Sequence, residues 1–332
     1  MPKSILFIGD TSVAQPIRME MPAAELARRG HKTKVVPIYE LVNVPAADFD
    51  IVVFQRPVYP LANLIAVAKE NGAKIIVDLD DDFLGIPETH PGRQQYAGPE
   101  AIHNLMLALG SCDALVVSTE EMRKRYGGKT VKRTVVIPNG WDATNMLWKA
   151  RLPHDTINIG WCGSLTHRED QELIRNPLLR LARERADVRI VIGADEAFYK
   201  SFKLPESQKV FIPGVTYPDY PAMLAWFDIL LAPLKDTEFN RAKSDIKLVE
   251  AGARGIPWVA SPLPMYCGWM VGGMFARLEA EWYGVLKRLL DNPELRADLG
   301  KEGRDRAAFR EQGRMDYWES LVNSLVQKRE RE

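Results

Sequence analysis

The chain reads as an α/β protein built from two doubly wound, parallel-sheet halves. Three observations predict this class. Short apolar runs alternate with helical patterns along most of the sequence. The alternation starts afresh after the turn-rich Pro138-Asn139-Gly140 segment. The length, 332 residues, suffices for two domains of ordinary size.

In the first half, residues 4–10 form an expected strand that ends in Gly9-Asp10-Thr11-Ser12. A helix over 21–29, stopped by Gly30, leads to a strand over 32–38. Arg18, near the start of that helix, is read as a solvated side chain, the alternative being an arginine that faces an anion. Residues 50–56 make a strand with Gln55 and Arg56 at its end, 61–70 a helix, and 74–80 a further strand. Beyond it lies Asp78-Leu79-Asp80-Asp81-Asp82, with four carboxylates in five residues. These repel one another, so a metal, arginines, or backbone N–H groups and water must compensate them. Two readings stay open: Asp80 or Asp81 faces a substrate at the sheet's ligand-binding edge, or the carboxylates cap a loop.

Residues 87–99, with His90, read as a loop, 101–110 as a helix carrying His103, and 113–119 as a strand. Either histidine is a candidate for acting on an acceptor. Arg123-Lys124-Arg125, Lys129, Lys132 and Arg133 form the one dense basic run. It is read as a solvated face, with weak contact to a polyanion or membrane surface as the alternative. The second half opens with a strand over 156–163, followed by strands over 188–194 and 209–214 and a helix over 220–227. Near the end, residues 317–326 place Trp318, Leu321 and Leu325 on one face of an expected last helix, and residues 329–332 should fray.

Composition bounds the function. Formal net charge is zero, and residues 1–148 hold 16 Lys+Arg against 17 Asp+Glu, so neither half is a polyphosphate binder by bulk charge. Three scattered cysteines suit a reducing compartment rather than a disulfide scaffold. The first apolar run is too short for a secretory leader, and no run approaches the ~20 residues of a membrane span. These features predict a cytoplasmic protein without a transmembrane segment.

Residues 239–261, FNRAKSDIKLVEAGARGIPWVAS, organise the second half. An apolar strand over 228–234 precedes them. Ser244 or Asp245 can cap a helix that Gly255 and Pro257 stop, and residues 258–261 resume as a strand. Lys243, Lys247 and Glu250, spaced by four and three, are expected on one helical face. Cations beside a helix N-terminus seat a diphosphate, and a carboxylate further along accepts from paired sugar hydroxyls. The plain alternative is a surface Lys–Glu pair worth about 0.2–0.5 kcal/mol.

The run N-x-x-K-S-x-x-K-x-x-E-A-x-A-x-G-x-P-x-x-A-S, from Asn240 to Ser261, resembles the donor-site helix of retaining glycosyltransferases of the GT-B fold (glycosyltransferase group 1, family 4-like). Diffuse similarity covers nearly the whole chain: E-L-A-R-R-G-H near the start, D-A-L-V-V-S-T over 113–119, I-P-N-G-W-D over 137–142, and Gly163-Ser164-Leu-Thr-His167 with Arg168. The resemblance implies two Rossmann-like domains facing across a cleft, over residues 1–148 and 149–312, with a helix at 313–332 packing back on the first. It also implies transfer of a hexose-like sugar from a nucleotide diphosphate to a hydroxyl, without a metal ion or other cofactor. A UDP-sugar is the expected donor, with GDP as the other option. Lys243 would hold the diphosphate, with Ser244, Lys247, Arg168 and the Gly163-Ser164 loop around it, and Glu250 the ribose. Asp80 and Asp81 would serve the acceptor side, and Lys243 and these two aspartates are the expected catalytic set. An Asp-x-Asp metal site of the GT-A kind is set aside, because two βα halves and the lysines already provide for the phosphates. The pattern departs from the family at Ala242, where many members carry a second glutamate. That departure keeps a nucleotide-sugar-binding subunit without catalysis in play, beside a GT-B epimerase. The acceptor class stays open between glycan, lipid and hydroxymethylated nucleobase.

Overall fold

The computed structural model describes residues 1–43, 48–128, 131 and 133–326. Two compact units emerge, each with a six-stranded sheet in which every pairing is parallel. The first unit takes residues 1–140, 242–244 and 311–332, and the second 141–241 and 245–310.

In the first unit the elements run β1 (Ser4–Gly9), α1 (Met21–Arg28), β2 (Lys32–Pro37), β3 (Ile51–Gln55), α2 (Ala62–Glu70), β4 (Lys74–Leu79), α3 (Arg93–Ala97), α4 (Pro99–Ser111), β5 (Ala114–Val117), α5 (Glu120–Tyr126) and β6 (Thr134–Val136). Strand order is β2-β1-β3-β4-β5-β6. Direction of winding therefore reverses between β1 and β3, and that switch point opens a crevice beyond the strands' carboxyl ends. β3 is buried along its whole length, as a strand covered on both faces must be. A π-helical segment, Pro16–Glu20, precedes α1 and carries Arg18. The loop expected over 87–99 contains the one-turn helix α3, whose Tyr96 ring meets Phe83 at 5.6 Å between centroids.

The second unit runs β7 (Ile157–Cys162), α6 (Arg168–Glu184), β8 (Val188–Gly193), α7 (Glu196–Ser201), β9 (Lys209–Ile212), α8 (Tyr220–Leu224), β10 (Ile229–Ala232), α9 (Glu238–Ala242), α10 (Ile246–Arg254), β11 (Trp258–Ala260), α11 (Pro264–Cys267), β12 (Gly273–Phe275), α12 (Glu279–Asp291) and α13 (Pro293–Leu325). Its strand order, β12-β11-β10-β7-β8-β9, places the switch point between β7 and β10. α10 ends at Gly255, whose φ of 66° is the left-handed conformation that glycine adopts without strain. Gly252 lets α13 approach α10, since a Cβ there would meet the Gly303 carbonyl at 2.5 Å.

Two expectations about helices are corrected. The final helix does not start at 317 but at Pro293, and runs unbroken for 33 residues. Its Ala307 is buried in a core of the second unit, whereas Met315, Trp318, Leu321 and Val322 pack in the first unit's core with Ile5 and Phe7. Neither Ser244 nor Asp245 caps α10 with its side chain. Asp245 occupies the cap position, but its carboxylate accepts instead from Trp269 Nε1 (2.8 Å) and Arg310 Nη2 (2.7 Å). Ser244 Oγ accepts from Asn139 Nδ2 at 2.9 Å. Lys129, Lys132 and residues 329–332 lie outside the described residues. No described helix is long and apolar enough to cross a membrane.

Trp318 is fully buried, edge-on to Phe7 with ring centroids 5.9 Å apart. Trp318→Ala should lower the first unit's unfolding free energy by about 3–5 kcal/mol in chemical denaturation. A loss below ~1 kcal/mol would show that the helix contributes little to that core.

Candidate active site

In the second unit the site begins where β7 ends. Cys162 closes the strand at the switch point and faces the first turns of α10. Lys247 and Glu250 lie one helical turn apart, as their spacing of three requires, with Nζ 3.1 Å from Oε2. The pair is not an exposed one: the Glu250 side chain is 7% accessible and that of Lys247 24%. Tyr220, at the start of α8, binds both. Its hydroxyl accepts from Lys247 Nζ at 2.7 Å and donates to Glu250 Oε2 at 2.9 Å. The Cys162 thiol lies 2.9 Å from the same hydroxyl and 3.4 Å from Lys247 Nζ. Burial pushes the Cys162 thiol and the Tyr220 phenol up, so both stay protonated. For Lys247 burial opposes the charge, but the Glu250 carboxylate 3.1 Å away outweighs it and the ammonium is held protonated. The result is a desolvated cation and carboxylate with a shared hydroxyl, preformed and aligned.

Gly163 and Ser164 follow Cys162, with Ser164 Oγ 2.7 Å from Thr166 Oγ1, and Arg168 is exposed as the first residue of α6. Asp170 is buried one turn into α6 and accepts from Lys235 N (2.7 Å), Asn240 Nδ2 (3.0 Å) and His167 Nδ1 (3.0 Å). It thereby ties the loop after β10 to the start of α6. Lys243 does not share the helical face of Lys247 and Glu250, contrary to expectation. It precedes α10 in the turn from α9, and residues 242–244 belong to the first unit. There Lys243 Nζ stands 3.6 Å from Asp81 Oδ2.

The first unit's acid cluster is compensated by cations, one for each aspartate. Arg18 Nε and Nη2 grip Asp78 at 2.9 and 2.6 Å, while Nη1 donates to the Ile137 carbonyl at 2.7 Å. Arg18 is 1% exposed, which corrects its reading as a solvated side chain. Arg56 Nε and Nη2 hold Asp80, both at 2.6 Å, and Nη1 reaches Asp10 at 3.2 Å. Asp82 pairs with Arg125 and accepts from the Tyr126 hydroxyl at 2.9 Å. Asp81 has Lys243. Arg56 and Thr11, at the ends of β3 and β1, have φ values of 46° and 66°, so strained backbone flanks this unit's switch point. In the basic run, Arg123 and Lys124 pair with Glu120 (2.6 Å) and Glu121 (2.7 Å). His90 Nδ1 accepts from Gly92 N at 3.0 Å, and His103 is exposed on α4.

From sequence, Asp170 followed the family's pattern after Gly163-Ser164 and Tyr220 opened a helix beside the expected nucleotide, but neither was assigned a contact, Cys162 was expected only to pack, and the Asp10–Arg56–Asp80 arrangement was not read. A polar residue at a strand end was the one available signal, and it pointed to Asp10 and Arg56 without pairing them.

Residues 168–320, which carry α6 through most of α13, match a family model described as glycosyl transferase-like. The chain superposes on a sucrose-phosphate synthase from Thermosynechococcus elongatus with a TM-score of 0.70, covering 97% of this chain and 99% of that one at 13% identity. The fold is GT-B. An Escherichia coli trehalose-6-phosphate structure bound with UDP-2-fluoro glucose is similar at a TM-score of 0.64, with 13% identity and coverage of 98% and 99%. A candidate UDP-N-acetylglucosamine 2-epimerase from Listeria monocytogenes gives 0.57, with 12% identity and coverage of 96% and 98%. No curated protein sequence matches the chain.

Burial alone would raise the Asp80 carboxyl, yet the Arg56 fork overrides it and holds that pKa below the ordinary value. A depressed carboxylate contributes stability above its unfolded pKa of about 3.9 and loses it as pH falls through the folded value. Arg56→Gln should therefore cost about 3–5 kcal/mol near neutral pH, with the deficit shrinking below roughly pH 4. Urea titrations across pH check this, and a deficit that does not change with pH would contradict it.

Proposed function

We propose that the chain is a GT-B glycosyltransferase that moves a sugar from a nucleoside-diphosphate sugar to a hydroxyl with retention of configuration. The observation that carries this reading is the Lys247–Glu250–Tyr220 cluster at the start of α10, within the segment that matches the glycosyl transferase-like model. Glu250 orients the nucleoside by accepting from its ribose hydroxyls. Lys243, helped by Lys247, Arg168 and the Gly163-Ser164 backbone with Ser244, holds the diphosphate. Cleavage of the anomeric C–O bond adds negative charge to that diphosphate. Cations and N–H groups already in place then bind the leaving group more tightly than the donor, which is the source of rate. On this reading the leaving phosphate oxygen accepts the proton from the acceptor hydroxyl, so no protein nucleophile and no metal ion is invoked. Asp80 and Asp81 serve the acceptor side. A UDP-sugar is the first donor to try, given the UDP-2-fluoro glucose on one structural neighbour, with GDP-sugars next. Cytoplasmic location belongs to the same proposal.

Lys243→Ala should lower kcat/KM by about 10²-fold or more in a donor-turnover assay. An unchanged value removes the lysine from the mechanism. Glu250→Gln should weaken donor binding in calorimetry while leaving the fold intact by circular dichroism, and equal affinity would end that assignment. The epimerase-like neighbour supports a second reading, inversion at a sugar carbon of the donor. Chromatography of the donor incubated without acceptor separates the two, since only an epimerase returns an isomeric nucleotide sugar.

A further inference from the structure

At the far end of α10 from Lys247, about 10 Å along the helix axis at ~1.5 Å per residue, the second unit holds a group of arginines. Arg254, in the last turn of α10, is 2% exposed. Its Nη1 donates to the carbonyls of Trp148 (2.6 Å) and Leu147 (3.3 Å), but its Nε has no partner among the described residues. The buried Nε1 of Trp148 is likewise unpartnered. Arg304, from α13, lies across the Gly255 turn, where any Cβ would fall on its guanidinium, and its Nη2 donates to the Arg254 carbonyl at 3.2 Å. Burial first, and then the charges of Arg151 and Arg304, bring the Arg254 pKa down to about 10. None of the three arginines has a carboxylate partner among the described residues.

The carbonyl end of a helix favours one cation in its last turn. It does not account for the Arg304 guanidinium lying against the same turn as Arg254, nor for buried donors left without acceptors, each of which costs stability. Arg151 and Arg304 are exposed, whereas Arg254 is buried.

We propose that Arg151, Arg254 and Arg304 form a binding site for a phosphate group, at the opposite end of α10 from the candidate donor site. A phosphate dianion presents several acceptor oxygens, matches the planar guanidinium fork, and cancels the mutual repulsion of the three side chains. The site is independent of the transferase reading, because none of its residues takes part in it.

Calorimetric titration of the full chain with inorganic phosphate, at constant ionic strength in chloride, tests the proposal. Phosphate should bind, and Arg304→Ala and Arg151→Ala should each weaken it at least tenfold. Both side chains are exposed, so these variants fold. Lys247→Ala should leave phosphate affinity unchanged, and Arg304→Ala should leave UDP or GDP affinity unchanged, which separates this site from the donor site. Sedimentation with vesicles containing phosphatidic acid, lost in Arg304→Ala, would assign the phosphate to a lipid headgroup. Phosphate binding without such sedimentation would assign it to a soluble ligand. No phosphate binding, or binding that both arginine variants retain, overturns the proposal.

Discussion

The carboxylate of Glu250 is the constraint on which the second unit's chemistry depends. A nearly buried anion must be matched by charge and donors, and here Lys247 and Tyr220 supply both from within hydrogen-bonding distance. The match fixes the rotamer of Glu250 before any ligand arrives and keeps Lys247 charged. It also ties three elements together, because Tyr220 starts α8, Cys162 ends β7 and the ion pair stands on α10. Preorganisation of this kind spares a binding site the cost of ordering its side chains on contact.

The first unit solves a similar problem on a larger scale. Strands that converge on a switch point bring Asp10, Asp78 and Asp80 to one edge, where each would repel the others. Arg18 and Arg56 answer with guanidinium forks, and Arg56 leans on the Phe83 and Tyr96 rings at 5.6 and 5.8 Å. Positive φ at Thr11 and Arg56 shows that the backbone is bent to deliver these groups, a cost that the surrounding ion pairs offset. Both units thus keep their ionic groups where parallel strands end and helices begin.

Much of this was legible in the sequence, for reasons that are local. Apolar runs gave most of the strands, though not the short β6 and β12, and Gly255 marked the end of α10. The spacing of Lys247 and Glu250 announced their pairing, because helical periodicity is a short-range rule. What was hidden is long-range. Arg18 meets Asp78 sixty residues away, and Tyr220 meets Glu250 across thirty, so no pattern within one element reveals either contact. Lys243 was misplaced for a related reason. Helical spacing extended backwards past Ile246 assumes that the helix does too, whereas the chain turns there and Asp245 is drawn to Arg310 and Trp269. The last helix was read from its apolar face over 317–326 alone, which gives no signal for the stretch from Pro293 onward, where glycines stand at 300, 303 and 313. Proline is tolerated at a first helical turn, and two of those glycines sit against the Gly252–Gly255 segment and Gly272.

The most direct measurement of the central claim is hydrogen–deuterium exchange of the full chain with saturating UDP and, separately, GDP. The account predicts that the nucleotide that binds will slow exchange in residues 163–168 and in the first two turns of α10. Failure of both nucleotides to bind, or protection confined to segments outside these two, would contradict it.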